Sequence, residues 1–195
     1  QGVVFAGAPE WAVRVAAVLD ELGVPVLLIS DDRTEISRAR MAGVRVERAN
    51  ILSDYAVRDL DLAGMKTLVA VTDGDERNAT AAREFAHVLG RANTFQLEPA
   101  PVEGMGSDRT LTASHLTART PFAPAPTHEE LDERAGRMQV KRTSLTEQFT
   151  HEDFVQMHGG AAIALFTVRG DRVEVVTDKT QVDGDLTLVS LVPEG

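Results

Sequence analysis

Residues 2–31, GVVFAGAPEWAVRVAAVLDELGVPVLLISD, constrain the fold more than any other stretch. A short apolar run, Val3 to Ala6, stops at Gly7. A helix-patterned segment, Glu10 to Leu22, follows at once, with Val13, Ala16, Ala17, Leu19 and Leu22 spaced for one buried face. Gly23 ends it, and a second apolar run, Pro25 to Ile29, stops at Ser30-Asp31-Asp32. Strand, tight turn, helix, strand and acid is the order of a dinucleotide-binding βαβ unit. In such a unit the backbone N–H groups of the turn and the helix N-terminus meet a phosphate. Acids at the tip of the second strand accept hydrogen bonds from ribose hydroxyls.

The glycine fingerprint is degraded. In the register G-x-G-x-x-G the three glycine places fall on Gly7, Pro9 and Ala12. Pro9 offers no N–H and cannot reach positive φ. Glu10 brings a negative charge to the place of a pyrophosphate. Two readings follow: a weakened or altered nucleotide site, or a Rossmann-like scaffold without a ligand.

The remaining chain divides by pattern. Residues 1–98 alternate strands and helices, with helices expected at Thr34–Ala42, after Ser53, and at Glu76–Leu89. Strands are expected at Val44–Glu47, Thr67–Val71 and Thr94–Leu97. The alternation predicts a doubly wound parallel α/β sheet of order 3-2-1-4-5, with helices on both faces. Residues 99–126 gather Pro99, Pro101, Pro121, Pro124 and Pro126 with Gly104 and Gly106, and read as a linker or crossover. Thr110–Leu116 is the one part of it that could add an edge strand. Residues 127–195 read as a small β-rich α+β domain. Capping patterns at Thr127–Glu130 and Thr150–Asp153 open two short helices. Strands are expected at Met138–Thr143, Ala161–Val168, Arg172–Thr177 and Leu186–Val192.

Bulk chemistry excludes several functions. The net charge of −10, without any Lys/Arg-rich run, argues against nucleic acid as a partner. The absence of cysteine excludes disulfides and thiolate chemistry. The longest stretch without a charged side chain, Phe154 to Val168, has 15 residues. A membrane-spanning helix needs about 20. The chain opens almost directly on its first strand, so it is expected to be a soluble piece of a longer protein. His87, His115, His128, His151 and His158 form no H-E-x-x-H and no i, i+4 pair. There is no G-x-S-x-G and no Walker loop. No catalytic residue and no metal ligand is assigned, and His87 is expected to be half-buried in packing.

Residues 2–98 carry a further set of motifs: VVFAGAPEWAVRVA, VPVLLISDDRTEISRARMAGVRV, and RANILSDYAVRDLDLAGMKTLVAVTDGDERNATAAREFAHVLGR. The strand TFQLEP completes the set. This set resembles the RCK (KTN, TrkA-N type) nucleotide-binding domain attached to potassium channels and cation transporters. The phrase RARMAGV…ANILSDYA is most similar to the cytosolic tails of bacterial sodium:proton and potassium:proton antiporters. The resemblance implies a non-catalytic regulatory domain on the cytoplasmic face of the cell membrane, attached to a transmembrane transporter and paired as a homodimer through its Rossmann domains. It implies an adenine nucleotide ligand such as AMP, ATP or NAD(H), with phosphates on Gly7, Ala8, Pro9, Glu10 and Trp11. The ribose acid of the family falls on Ser30, with Asp31 and Asp32 just behind it. The adenine neighbourhood carries over to Asn50 and Ile51, and the turn after the fourth strand to Thr72, Asp73 and Asn78. The residues themselves leave alternatives. Asp31 or Asp32 can cap the next helix, Asn50 can hold its own turn, and Trp11 can pack on a neighbouring helix. A ligand-free dimerisation module and an NAD(P)-dependent oxidoreductase are the rival functions.

Overall fold

The computed structural model describes residues 1–101 and 118–194. The expected edge strand at Thr110–Leu116 lies outside the described residues, as do Gly104, Gly106 and His115. Five parallel strands form the first sheet: β1 (Gly2–Ala6), β2 (Val26–Ser30), β3 (Val46–Arg48), β4 (Met65–Ala70) and β5 (Thr94–Gln96). Their order is β3-β2-β1-β4-β5, as the alternating pattern predicts. Helices α1 (Glu10–Glu21), α2 (Arg33–Met41), α3 (Asp54–Asp59) and α4 (Asp75–Leu89) connect them.

β1 is buried along its whole length, because it is covered on both faces. Val3 and Phe5 enter one apolar cluster with Ala12, Val15, Ala16 and Leu19 of α1. Val4 and Ala6 enter another with Ala81 and Phe85 of α4. Boundaries differ from the sequence reading where local hydrogen bonds intervene. β3 starts at Val46 rather than Val44, since the Val44 N–H donates to Ala39 O and closes the end of α2. His87 is exposed in the last turn of α4 rather than half-buried, because Ala81, Ala82 and Phe85 supply that helix's buried face.

The second sheet is antiparallel, in the order β6-β9-β7-β8, with β6 (Met138–Leu145), β7 (Ile163–Arg169), β8 (Arg172–Val175) and β9 (Leu186–Pro193). Helix α5 (His128–Ala135) is capped by the Thr127 hydroxyl, which accepts from Glu130 N–H. Helix α6 (His151–His158) carries a full capping box between Thr150 and Asp153.

One apolar cluster runs between the two sheets. Phe166 of β7 meets Phe5 edge-on at 6.0 Å, and Phe122 stands edge-on between Phe166 and Trp11 at 5.8 and 6.0 Å. Val69, Val71, Phe95 and Leu97 belong to the same cluster. Over β4 and β5, then, the α1 face of the parallel sheet is covered by the antiparallel sheet rather than by a further helix. The described part of the Pro-rich segment is stitched to both sheets: Arg119 pairs with Phe95, Thr127 with Glu98, and Ala123 with Ala164. Polar ties reinforce the apolar ones. The Arg14 guanidinium donates to Met138 O at 2.8 Å and to Ala135 O at 2.6 Å. Among the described residues no helix is long and apolar enough to cross a membrane.

Candidate functional site

In this strand order the winding direction reverses between β1 and β4. Connections leave the carboxyl ends of those strands in opposite directions and open a crevice, where ligands of doubly wound sheets bind. Three strand ends shape it here.

The first is the turn after β1. Gly7 has φ +111°, in the region that glycine alone enters cheaply. A Cβ there would stand 3.2 Å from Thr72 Cγ2 and from Thr72 N. Pro9 is the N-cap of α1 and supplies no side-chain cap. Glu10 follows at the first helical position and lies 3.6 Å from Arg14. Ala8 is buried, and its N–H donates to Glu35 Oε1 at 3.4 Å.

The second is the end of β2. Ser30 is 2% exposed, and its hydroxyl donates to the same Glu35 oxygen at 2.7 Å while accepting from Asp32 N–H at 3.1 Å. Asp32 caps α2, its Oδ1 accepting from Glu35 N–H at 2.9 Å. Asp31 is exposed and lies 3.9 Å from the Arg77 guanidinium. The three candidates for a ribose contact therefore hold three different positions. Ser30 serves Glu35, Asp32 serves the helix cap, and Asp31 keeps its carboxylate toward solvent with one distant cation.

The third is the turn after β4. Asn78 is fully buried. Its Oδ1 accepts from Thr72 N–H at 2.8 Å and from the Thr72 hydroxyl at 2.6 Å, and its Nδ2 donates to Thr72 O at 3.1 Å. The side-chain amide thus closes the turn and presents Thr72 and Asp73 to the crevice.

The crevice has a volume of about 490 Å³. Nine of the sequence-assigned residues line it: Gly7, Pro9, Glu10, Ser30, Asp31, Asp32, Ile51, Thr72 and Asp73. Four do not. Ala8 lies beneath the surface and reaches the site through its N–H alone. Trp11 is 2% exposed and packs on Phe122, so the single tryptophan is a core residue rather than a ligand cover. Asn50 holds its own turn, Oδ1 accepting from Leu52 N–H at 3.0 Å. Asn78 spends its amide on Thr72.

Glu35, Arg38, Val71, Arg77, His128 and Asp132 also line the crevice, and sequence reasoning assigned none of them to it. Helical spacing could have found one: Arg38 follows Glu35 by three residues on α2, so the pair shares a face. No local signal points to His128 and Asp132, because α5 reaches the crevice only through the packing of the second sheet. The lining carries six carboxylates, from Glu10, Asp31, Asp32, Glu35, Asp73 and Asp132, against the guanidinium groups of Arg38 and Arg77. Among the described residues no group of three or more His, Asp or Glu is arranged to hold a metal ion.

Residues 3–95 match the TrkA-N domain model. Every crevice residue except His128 and Asp132 falls inside the TrkA-N segment. Comparison with curated proteins finds no relative of this chain. Among solved structures, the GsuK channel bound to NAD is similar in fold, with TM-score 0.50 and 11% identity over all of this chain and 37% of that one. The GsuK RCK domain gives TM-score 0.47 and 14% identity, covering 99% of this chain and 44% of that chain. The NAD(P)-binding domain of an exopolyphosphatase-related protein from Archaeoglobus fulgidus gives 0.49 and 14%, covering 69% of this chain and 92% of that one.

Proposed function

We propose that this chain is a regulatory domain of a membrane cation:proton antiporter, placed at the cytoplasmic face of the membrane, where it senses an adenine nucleotide and modulates monovalent cation/proton exchange. The observation that carries the reading is the crevice at the switch point of a TrkA-N segment, walled by the turns after β1 and β4 and by the acids after β2. The GsuK channel, similar in fold, is described as bound to NAD. In this reading residues 1–98 hold the ligand and residues 127–195 form the small α+β part. Two copies pair through their Rossmann domains, and ligand binding favours one arrangement of the pair. Regulation is then a population shift, limited by the ligand's differential affinity for the two arrangements.

The residues fit parts of such a ligand. Asp31 offers acceptors for ribose hydroxyls and Ile51 an apolar contact for a base. A pyrophosphate does not fit the first turn, where Pro9 has no N–H, Ala8 N–H is engaged by Glu35, and Glu10 adds charge. The same obstruction weighs against an oxidoreductase, whose nicotinamide ring lies beyond the pyrophosphate. It favours one second reading, a dimerisation module of the transporter whose crevice holds no ligand.

Isothermal titration with adenosine, AMP, ADP, ATP, NAD⁺ and NADH separates the two. Under the sensor reading at least one ligand binds saturably, and Asp31→Ala weakens it about tenfold, a change of about 1.4 kcal/mol. No saturable heat up to millimolar ligand moves the assignment to the dimerisation module. A full-length gene without membrane-spanning segments would end the antiporter reading.

A further inference from the structure

The Glu35 carboxylate reaches back from α2 to the turn after β1 and to the end of β2. In a βαβ unit of this kind, the phosphate accepts hydrogen bonds from the backbone N–H groups of the turn after the first strand. Here that role is filled from within the chain: Glu35 Oε1 accepts from Ala8 N–H at 3.4 Å and from the Ser30 hydroxyl at 2.7 Å. The carboxylate is fixed from its backbone side as well, because Asp32 caps α2 through Glu35 N–H. Pro9 offers no N–H at the next position, and Glu10 adds a second carboxylate to the same crevice.

From this geometry we infer that Glu35 is a built-in occupant of the phosphate seat, and that the crevice therefore selects an uncharged ribonucleoside over its 5′-phosphorylated form. The inference rests on the adenine-ligand reading above and narrows its chemistry. A ligand phosphate entering the turn expels Glu35 from two hydrogen bonds, or stays outside the turn in a crevice whose six carboxylates outnumber its two guanidinium groups. Either course costs the phosphorylated ligand, through lost hydrogen bonds or through repulsion between like charges. A nucleoside makes no demand on the seat. Its ribose meets the acids after β2, and its base meets Ile51, with Glu35 left in place.

The test compares adenosine with AMP by isothermal titration on the 195-residue chain, for the wild type, Glu35→Ala and Glu35→Gln. Glu35→Ala empties the seat, and Glu35→Gln removes the charge while keeping the shape. Both leave the Asp32 cap to the backbone intact, and thermal unfolding of each variant verifies that it is folded. The wild type is expected to bind adenosine at least as tightly as AMP. The ratio of AMP affinity to adenosine affinity should rise about tenfold in Glu35→Ala and by a smaller factor in Glu35→Gln. A rise of fivefold or more in Glu35→Ala supports the inference. A smaller rise overturns it and leaves the sensor reading standing, because adenosine or AMP still binds. Absence of saturable binding by either compound to the wild type and to Glu35→Ala overturns both.

Discussion

The two strand-to-helix turns that flank the crevice answer the same structural problem in opposite ways. Each must reverse the chain at the end of a buried parallel strand and leave its backbone polar groups satisfied. The turn after β4 does so with a residue of its own: Asn78, six positions on, binds the Thr72 backbone through both ends of its amide. The turn after β1 has no such side chain. It turns on a glycine at φ +111°, enters α1 through a proline, and takes the acceptor for its Ala8 N–H from Glu35, 27 residues away. One turn is self-contained and the other depends on a neighbour. A self-contained turn is scaffold, whereas a turn whose partner can be displaced is where a ligand can compete.

The sharpest way to break this comparison is to remove Asn78. Asn78→Ala strips Thr72 of an acceptor for its N–H and hydroxyl and of a donor to its carbonyl, in surroundings closed to water. Buried groups left without partners cost about 1–3 kcal/mol each, less where the turn relaxes. A loss of about 3 kcal/mol is expected in urea or thermal unfolding. A loss under about 1 kcal/mol would mean that the turn after β4 closes without the amide, and the contrast between the turns would vanish.

Gly7 tests the other side. In Gly7→Ala the new methyl meets Thr72 Cγ2 and Thr72 N at 3.2 Å and the Val71 carbonyl carbon at 3.3 Å, and the backbone keeps a φ that L side chains disfavour. About 2 kcal/mol of destabilisation is expected from the backbone conformation and the close approach together. Because the methyl presses on Thr72, the double variant with Asn78→Ala should lose less than the sum of the single losses, as happens for residues that share a contact. Strict additivity in unfolding experiments would show that the two turns do not touch energetically.

The same contrast explains what could be read from the sequence. The sheet order was legible because each βα unit carries its own signals: apolar runs buried on both faces, glycines at helix ends, and alternation without a break through residue 98. The short helices of the second part were legible for the same reason, since Thr127 and Thr150 cap chain segments that begin next to them. Of the nine legible crevice residues, eight lie on the three strand ends themselves and Ile51 follows β3. Asn50, Asn78 and Trp11 were placed near the ligand by the family resemblance. Asn50 and Asn78 spend their polar groups within their own turns, and Trp11 packs its ring in the core. What could not be read was long-range. The Glu35 contact joins α2 to the first turn, and His128 and Asp132 arrive from a helix that the antiparallel sheet carries to the crevice. Spacing along the chain encodes neither.

The smallest expected effect concerns a cation that lies between the two lips. The Arg77 guanidinium lies 3.9 Å from Asp31 on the β2 side and 3.7 Å from Asp73 on the β4 side. All three side chains are at least 42% exposed, so water and salt screen the pairs. Arg77→Ala should therefore cost about 0.3 kcal/mol, near the low end for exposed ion pairs, and the loss should fade in high salt. The variant also separates two views of the crevice. If the lips are independent, its unfolding midpoint moves by no more than this amount and the Asn78→Ala loss is unchanged in the Arg77→Ala background. A loss above about 1 kcal/mol would mean that Arg77 clamps the β2 and β4 sides into one unit. The self-contained turn would then be mechanically tied to the dependent one, and displacement of Glu35 by a ligand would be felt at Thr72 as well as at Ala8.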